Sequence, residues 1–173
     1  MPTDIAHPQS NDNHSDSIYT SHDLNAVFNE LTEQSFADIR DTTELVFKNM
    51  ESLGYASPFS LDLYIDIDRI NEYQWPKEAV IGLFAHELGH IASYQRRSLF
   101  NRMLFIWNYY LSDAARREVE READMIAIEV GYGKELVLTR SLAIRDYDEK
   151  RVRKMRDVYF WPDELEGIIS NTK

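Results

Sequence analysis

His86, Glu87 and His90 lie in the run Ala79 to Ala92, AVIGLFAHELGHIA, of a 173-residue chain. At about 100° per residue, apolar side chains surround this segment, which predicts a buried helix. A carboxylate and two imidazoles in such a core would cost several kcal/mol without partners. Their spacing supplies one. His86 and His90 stand at i and i+4 on one helix face, with Cβ atoms about 6 Å apart. Both imidazoles can reach a single ion at the zinc–nitrogen distance of about 2.0–2.1 Å. Glu87, one step round the helix, points beside such an ion, where a base for a water molecule belongs.

A catalytic zinc site takes three protein ligands and keeps one position open. No histidine follows His90 and the chain has no cysteine. His7, His14 and His22 lie in or beside a polar N-terminal stretch. The third ligand is therefore expected to be acidic, and Glu118-Val-Glu-Arg-Glu-Ala-Asp124 offers candidates. Val119, Ala123, Ile126, Ala127 and Val130 form an apolar stripe along that helix. Glu118 falls far from the stripe, while Glu120 and Glu122 flank it on opposite sides, so the wheel barely separates them. Glu120 has the better claim because Asp124 lies four residues on, where its carboxylate can orient a ligand histidine. Without the upstream histidines, the bland alternative would win: a solvated acidic face paired with Arg116, Arg117 and Arg121.

His86-Glu87-Leu88-Gly89-His90 followed by Glu120-Arg-Glu-Ala-Asp124 resembles the gluzincin metallopeptidases. The pattern is most similar to HtpX and CAAX prenyl protease-like peptidases, and in size to the soluble minigluzincins. The resemblance covers roughly Phe59 to Gly133. It implies zinc (Zn2+) held by His86, His90 and Glu120, with Glu87 as base and Asp124 as supporter. It also implies a zincin-like fold, with a small β-sheet packed on the active-site helix, and a peptide or protein substrate. The implied reaction is peptide-bond hydrolysis through a zinc-bound water activated by Glu87. Tyr132, Arg140, Arg145 and Tyr147 follow the ligand helix as equal candidates for stabilising the oxyanion. The sequence departs from its relatives in showing no second strand between Asp68 and Pro76.

Composition frames this chemistry. Thirty acidic residues against nineteen Lys and Arg give a net charge of −11, which repels nucleic acid and anionic surfaces unless a local patch reverses it. The absence of cysteine removes disulfide scaffolds and thiol chemistry. The first basic residue is Arg40, so neither a secretory signal nor an Arg-rich transit peptide is expected. No apolar run reaches the roughly 18 to 20 residues of a membrane-spanning helix, and a cytoplasmic location follows as the expectation. Residues 1–21 read as a disordered acidic tail, and residues 22–173 as a single domain.

The fold class expected is α+β, mostly helical. Apolar spacing from Asp23 to Met50 predicts one or two amphipathic helices ending near Gly54. Alternation from Phe59 to Ile67 predicts a strand whose free edge would take an extended substrate. Pro76 opens the histidine helix, which runs to about Gln95. Ser112 or Asp113 caps the Glu120 helix, which stops at Gly131-Tyr132-Gly133. Two further helices are expected, Lys134 to about Ile144 and Asp148 to Val158, the second ended by Trp161-Pro162. Leu99 to Leu111 reads as core, with an exposed lip or membrane-surface contact as the lesser reading. Lys150 to Arg156 reads as a solvated helix face rather than an anion-binding patch. Two alternatives to a peptidase remain. One is a module that keeps the metal as a cross-link and cleaves nothing. The other is a latent enzyme, its cleft guarded by the tail or, preferably, by Tyr159-Phe160-Trp161-Pro162.

Overall fold

A computed structural model describes residues 18–171. Most of them lie in α-helices: α1 Ser21–Gln34, α2 Ile67–Tyr73, α3 Lys77–Gln95, α4 Leu99–Leu111, α5 Asp113–Glu129, α6 Gly133–Asp146, α7 Glu149–Val158 and α8 Pro162–Asn171. Between α1 and α2 come a 3-10 turn, Ala37–Thr42, and three strands, β1 Leu45–Phe47, β2 Gly54–Ala56 and β3 Leu63–Ile65. The chain is therefore α+β and mostly helical.

The histidine helix α3 is the hub. Its apolar residues point in every direction because it is packed in every direction, against α5 and α6 on one side and β2 on another. Glycine makes the closest approaches. A Cβ on Gly82 would stand 2.3 Å from the Glu135 carbonyl oxygen of α6, and one on Gly89 would stand 2.7 Å from the Ala123 carbonyl oxygen of α5. Helix α5 begins as expected, with Ser112 accepting from the Ala115 N–H, and the chain leaves it through Gly131 at φ 102°.

The sheet differs from expectation. Its order is β1-β3-β2, with β1 parallel and β2 antiparallel to β3. The expected strand shrinks to Leu63–Ile65, because Leu61 turns into left-handed backbone at φ 64° and Asp66 caps α2 through the Arg69 N–H. That strand is central, so it has no free edge for a substrate. The edges are β1 and β2, and β2 is the one that borders the histidine helix and the cleft. The ladder bonds Ser57 N–H to Asp62 O and Asp66 N–H to Leu53 O bracket it. By antiparallel alternation, the backbone groups of Gly54 and Ala56 then face away from β3.

Other expectations also need correction. The helical reading from Asp23 holds only to Gln34, after which the 3-10 turn and β1 take over. The expected lack of a strand between Asp68 and Pro76 holds, with helix α2 occupying that stretch. Helix α4 is not core: none of its residues is buried, and Phe100, Trp107 and Tyr110 are each 68% exposed. Helix α7 ends before Trp161-Pro162 as expected, but Pro162 then starts a further helix, α8, whose Leu165 is fully buried. Of the expected tail, residues 1–17 lie outside the described residues. Tyr19 belongs to the fold, its N–H donating to Asn71 Oδ1 (2.8 Å) and its hydroxyl to Trp75 O (2.9 Å). Among the described residues, no helix is long and apolar enough to cross a membrane.

Candidate metal centre

One turn of α3 separates His86 from His90, and their ring centroids lie 4.7 Å apart. Helix α5, held close by Gly89, brings the Glu120 carboxylate to both. Glu120 Oε2 is 3.3 Å from His86 Nε2 and 3.0 Å from His90 Nε2. All three residues are buried, and one ligand atom from each lies within 4.8 Å of the others. Four ligands placed tetrahedrally about 2.0–2.1 Å from a zinc ion stand about 3.3 Å from one another. The two histidine–carboxylate distances fit two edges of that tetrahedron. Two imidazole nitrogens and one carboxylate oxygen are also a donor set that binds divalent transition metals.

A supporting layer fixes the three side chains. Asp124, fully buried, takes His86 Nδ1 at 2.8 Å, which turns Nε2 toward Glu120. Arg140 of α6 clamps Asp124 with Nη2, at 2.9 Å from Oδ1 and 3.2 Å from Oδ2. The Tyr109 hydroxyl donates to Glu120 Oε1 at 2.6 Å, leaving Oε2 for the histidines or an ion. Tyr94 stacks on His90 at 5.9 Å. His90 Nδ1 has no hydrogen-bond partner among the described residues, so this imidazole is held by packing and by Glu120.

Charge is concentrated here. Burial alone would lower the His86 pKa, but the Asp124 and Glu120 carboxylates hold it up at about 10. Burial works to raise Glu120, yet His90 and His86 hold its carboxyl well below the usual range. Glu87 is pushed up by burial and by Glu120, against the opposing pull of both histidines and the Ala56 backbone. Burial and the Glu120 charge keep Tyr109 and Tyr159 in the hydroxyl form.

Glu87 faces β2. A Cβ on Gly54 would stand 2.9 Å from Glu87 Cγ and Oε1, so the strand lies directly on the carboxylate. A cleft of about 300 Å³ runs past Gly54, Ala56, His86, Glu87, His90 and Glu120, walled by Tyr94, Phe105 and Tyr109. A smaller cavity of about 110 Å³, lined by Trp75, Arg140 and Tyr147, also reaches Glu87. Tyr159 borders both, with its ring 5.8 Å from His86 and 4.1 Å from the Arg140 guanidinium.

The structure thus brings His86, Glu87, His90, Glu120 and Asp124 together. Glu122 is elsewhere, paired with Arg97 at 2.9 Å, and Glu118 is exposed. Of the four oxyanion candidates, Tyr132 bonds Ser35 at 3.1 Å and Arg145 pairs with Asp146 at 2.6 Å. Arg140 is committed to Asp124, and Tyr147 lines only the smaller cavity. Phe160 lies under Arg121 and Trp161 beside Arg156, so of the C-terminal aromatic run only Tyr159 reaches the cleft. Sequence reasoning missed Tyr94, Tyr109 and β2. Tyr94 carried a signal, continuing the i, i+4 row of His86 and His90, whereas Tyr109 stood in a segment read as plain core. No family model, no curated protein and no solved structure matches the chain.

Proposed function

We propose that this protein is a zinc-dependent metallopeptidase of zincin-like fold, hydrolysing peptide bonds with Glu87 as general base. One observation carries the reading: Glu120 Oε2 stands 3.3 Å from His86 Nε2 and 3.0 Å from His90 Nε2 in a buried cluster, with Glu87 beside them at an open cleft. His86, His90 and Glu120 would hold the ion. Zinc bound there supplies a Lewis acid for the scissile carbonyl and lowers the pKa of a water toward about 7.

The chain's own groups do the rest. Glu87 accepts the proton of the attacking water and delivers it to the leaving amine. Asp124, held by Arg140, keeps His86 in one tautomer, and Tyr109 keeps the Glu120 carboxylate turned. An extended substrate pairs with the outward backbone groups of β2 at Gly54, the Ala56 N–H being engaged by Glu87. Tyr159, packed on His86 and kept protonated by burial, is the hydroxyl we assign to the developing oxyanion.

Elemental analysis with a peptide-cleavage assay tests this. Wild type carries one zinc and cleaves, while Glu87→Gln keeps zinc and fold but loses at least 100-fold in kcat, the general-base share of such a reaction being about 10²- to 10⁴-fold. A zinc-loaded wild type that cleaves no unstructured polypeptide overturns the peptidase reading in favour of a metal cross-link between α3 and α5.

A further inference from the structure

Helix α4 carries a surface of which the candidate site uses only the Tyr110 edge. Leu99, Phe100, Met103, Leu104, Trp107, Tyr110 and Leu111 are all at least 50% exposed. At about 100° per residue they fill one arc of about 140°, with no polar residue inside it. Phe105 and Tyr109, which wall the cleft, lie on the opposite side of the helix. A substrate in the cleft therefore leaves the outer arc, Tyr110 apart, uncovered. A contiguous apolar patch of this kind marks an interaction surface.

Charge identifies what it meets. From Ile91 to Arg117, the segment holding α4 and its flanks, the chain carries Arg96, Arg97, Arg102, Arg116 and Arg117 against Asp113 alone. That is a net charge of +4, or +3 once Glu122, which pairs with Arg97, is counted, within a molecule of −11. Arg96 and Arg117, one on each flank, are exposed. Pairing the arc with the same arc of a second copy would set two positively charged segments against each other. A Trp- and Phe-bearing arc with basic flanks is instead the pattern of a helix lying in a lipid interface, its apolar side among the acyl chains and its cations at anionic headgroups.

We propose that α4 docks the protein peripherally on an anionic lipid surface, lying in the interface plane. The proposal does not depend on peptidase activity, and its test reads binding alone. The full chain is sedimented with vesicles of phosphatidylcholine, and of phosphatidylcholine with 30% phosphatidylserine. Binding should be at least tenfold stronger to the anionic vesicles, and should weaken in 0.5 M salt. Trp107→Glu and Leu104→Glu should each lower it at least tenfold, with metal content and melting temperature unchanged. If both variants unfold, Trp107→Ser and Leu104→Ser are used, with at least a threefold loss expected. No binding to anionic vesicles, equal binding to both kinds, or undiminished binding by folded variants overturns the proposal. So does a dimer in sedimentation equilibrium that Trp107→Glu dissociates, since a second copy would then cover the arc.

Discussion

Replacing Gly54 by alanine is the sharpest probe of how the strand and the carboxylate fit together. Gly54 has no left-handed backbone, so alanine costs nothing in conformation there. Its Cβ would nevertheless stand 2.9 Å from both Cγ and Oε1 of Glu87. Ordinary contact begins near 3.4 Å, so the carboxylate must withdraw by about 0.5 Å. A misplacement of about 1 Å at a reacting group costs about 100-fold in rate, so half of it predicts a loss of about tenfold in kcat. The metal ligands are not touched, and zinc content and melting temperature should hold. Steady-state kinetics on a fluorogenic peptide, with elemental analysis of the same samples, reads the outcome. A kcat within twofold of wild type would refute both the contact and the role given to Glu87. Gly89→Ala supplies the contrast. Its Cβ would stand 2.7 Å from a backbone oxygen, which cannot swing aside as a side chain can. Helices α3 and α5 must separate there, carrying both histidines away from Glu120. Zinc affinity should fall at least tenfold, and overpacking should cost about 1–3 kcal/mol of stability.

Three further outcomes follow from the same contacts. Glu120→Ala should lose most of the zinc, whereas Glu122→Ala should keep it because Glu122 serves Arg97; Asp124→Asn should weaken binding about 10- to 100-fold. Elemental analysis and competition with a chelator measure all three. In chelator-treated protein, His86 is raised from 6.5 to about 10, so its contribution is complete below pH 6.5 and is lost as pH climbs toward 10. Glu120, held below its ordinary 4.5, contributes stability that is lost as pH falls below that value. Chelated protein should therefore melt lower at pH 9 than at pH 5.5. Zinc needs His86 deprotonated, so the rise in melting temperature on adding zinc should grow over the same interval; a chelated protein that melts higher at pH 9 sinks the argument. Deleting residues 162–173 should destabilise the protein rather than unmask a latent enzyme, because it strips fully buried Leu165 from the core; thermal unfolding distinguishes the two.

The centre was legible in the sequence because burial and polarity contradict each other there. Histidines and acids inside an apolar helix have few physical explanations, and the i, i+4 spacing selects one. Glu120 and Glu122 were harder, because a wheel fixes direction about one helix and not which neighbour waits there. The answer lay in Arg97, which draws Glu122 away, and in Tyr109 and the histidines, which draw Glu120 in. Helix α8 was also legible but misread. Pro162 followed by Asp163 and Glu164 is the same start signal that was recognised at Pro76, and the Trp161 N–H is capped by Glu164 at 2.7 Å.

The two remaining failures have one cause. A strand of three residues, such as Gly54–Ala56, contains too few positions for any period to show, so β2 is defined by its partners β3 and α3 and by nothing local. Helix α4 is the converse. Its period is plain, but a period tells only that one face is apolar and cannot say whether protein, lipid or water lies against it. Both elements border the cleft, one through Gly54 and Ala56 and the other through Phe105 and Tyr109. The ligands therefore sit on long helices whose own sequences declare them, while the walls of the cleft are made by segments that acquire meaning only from what they touch. Substitutions on those walls that leave zinc in place should for that reason separate cleft shape from metal chemistry.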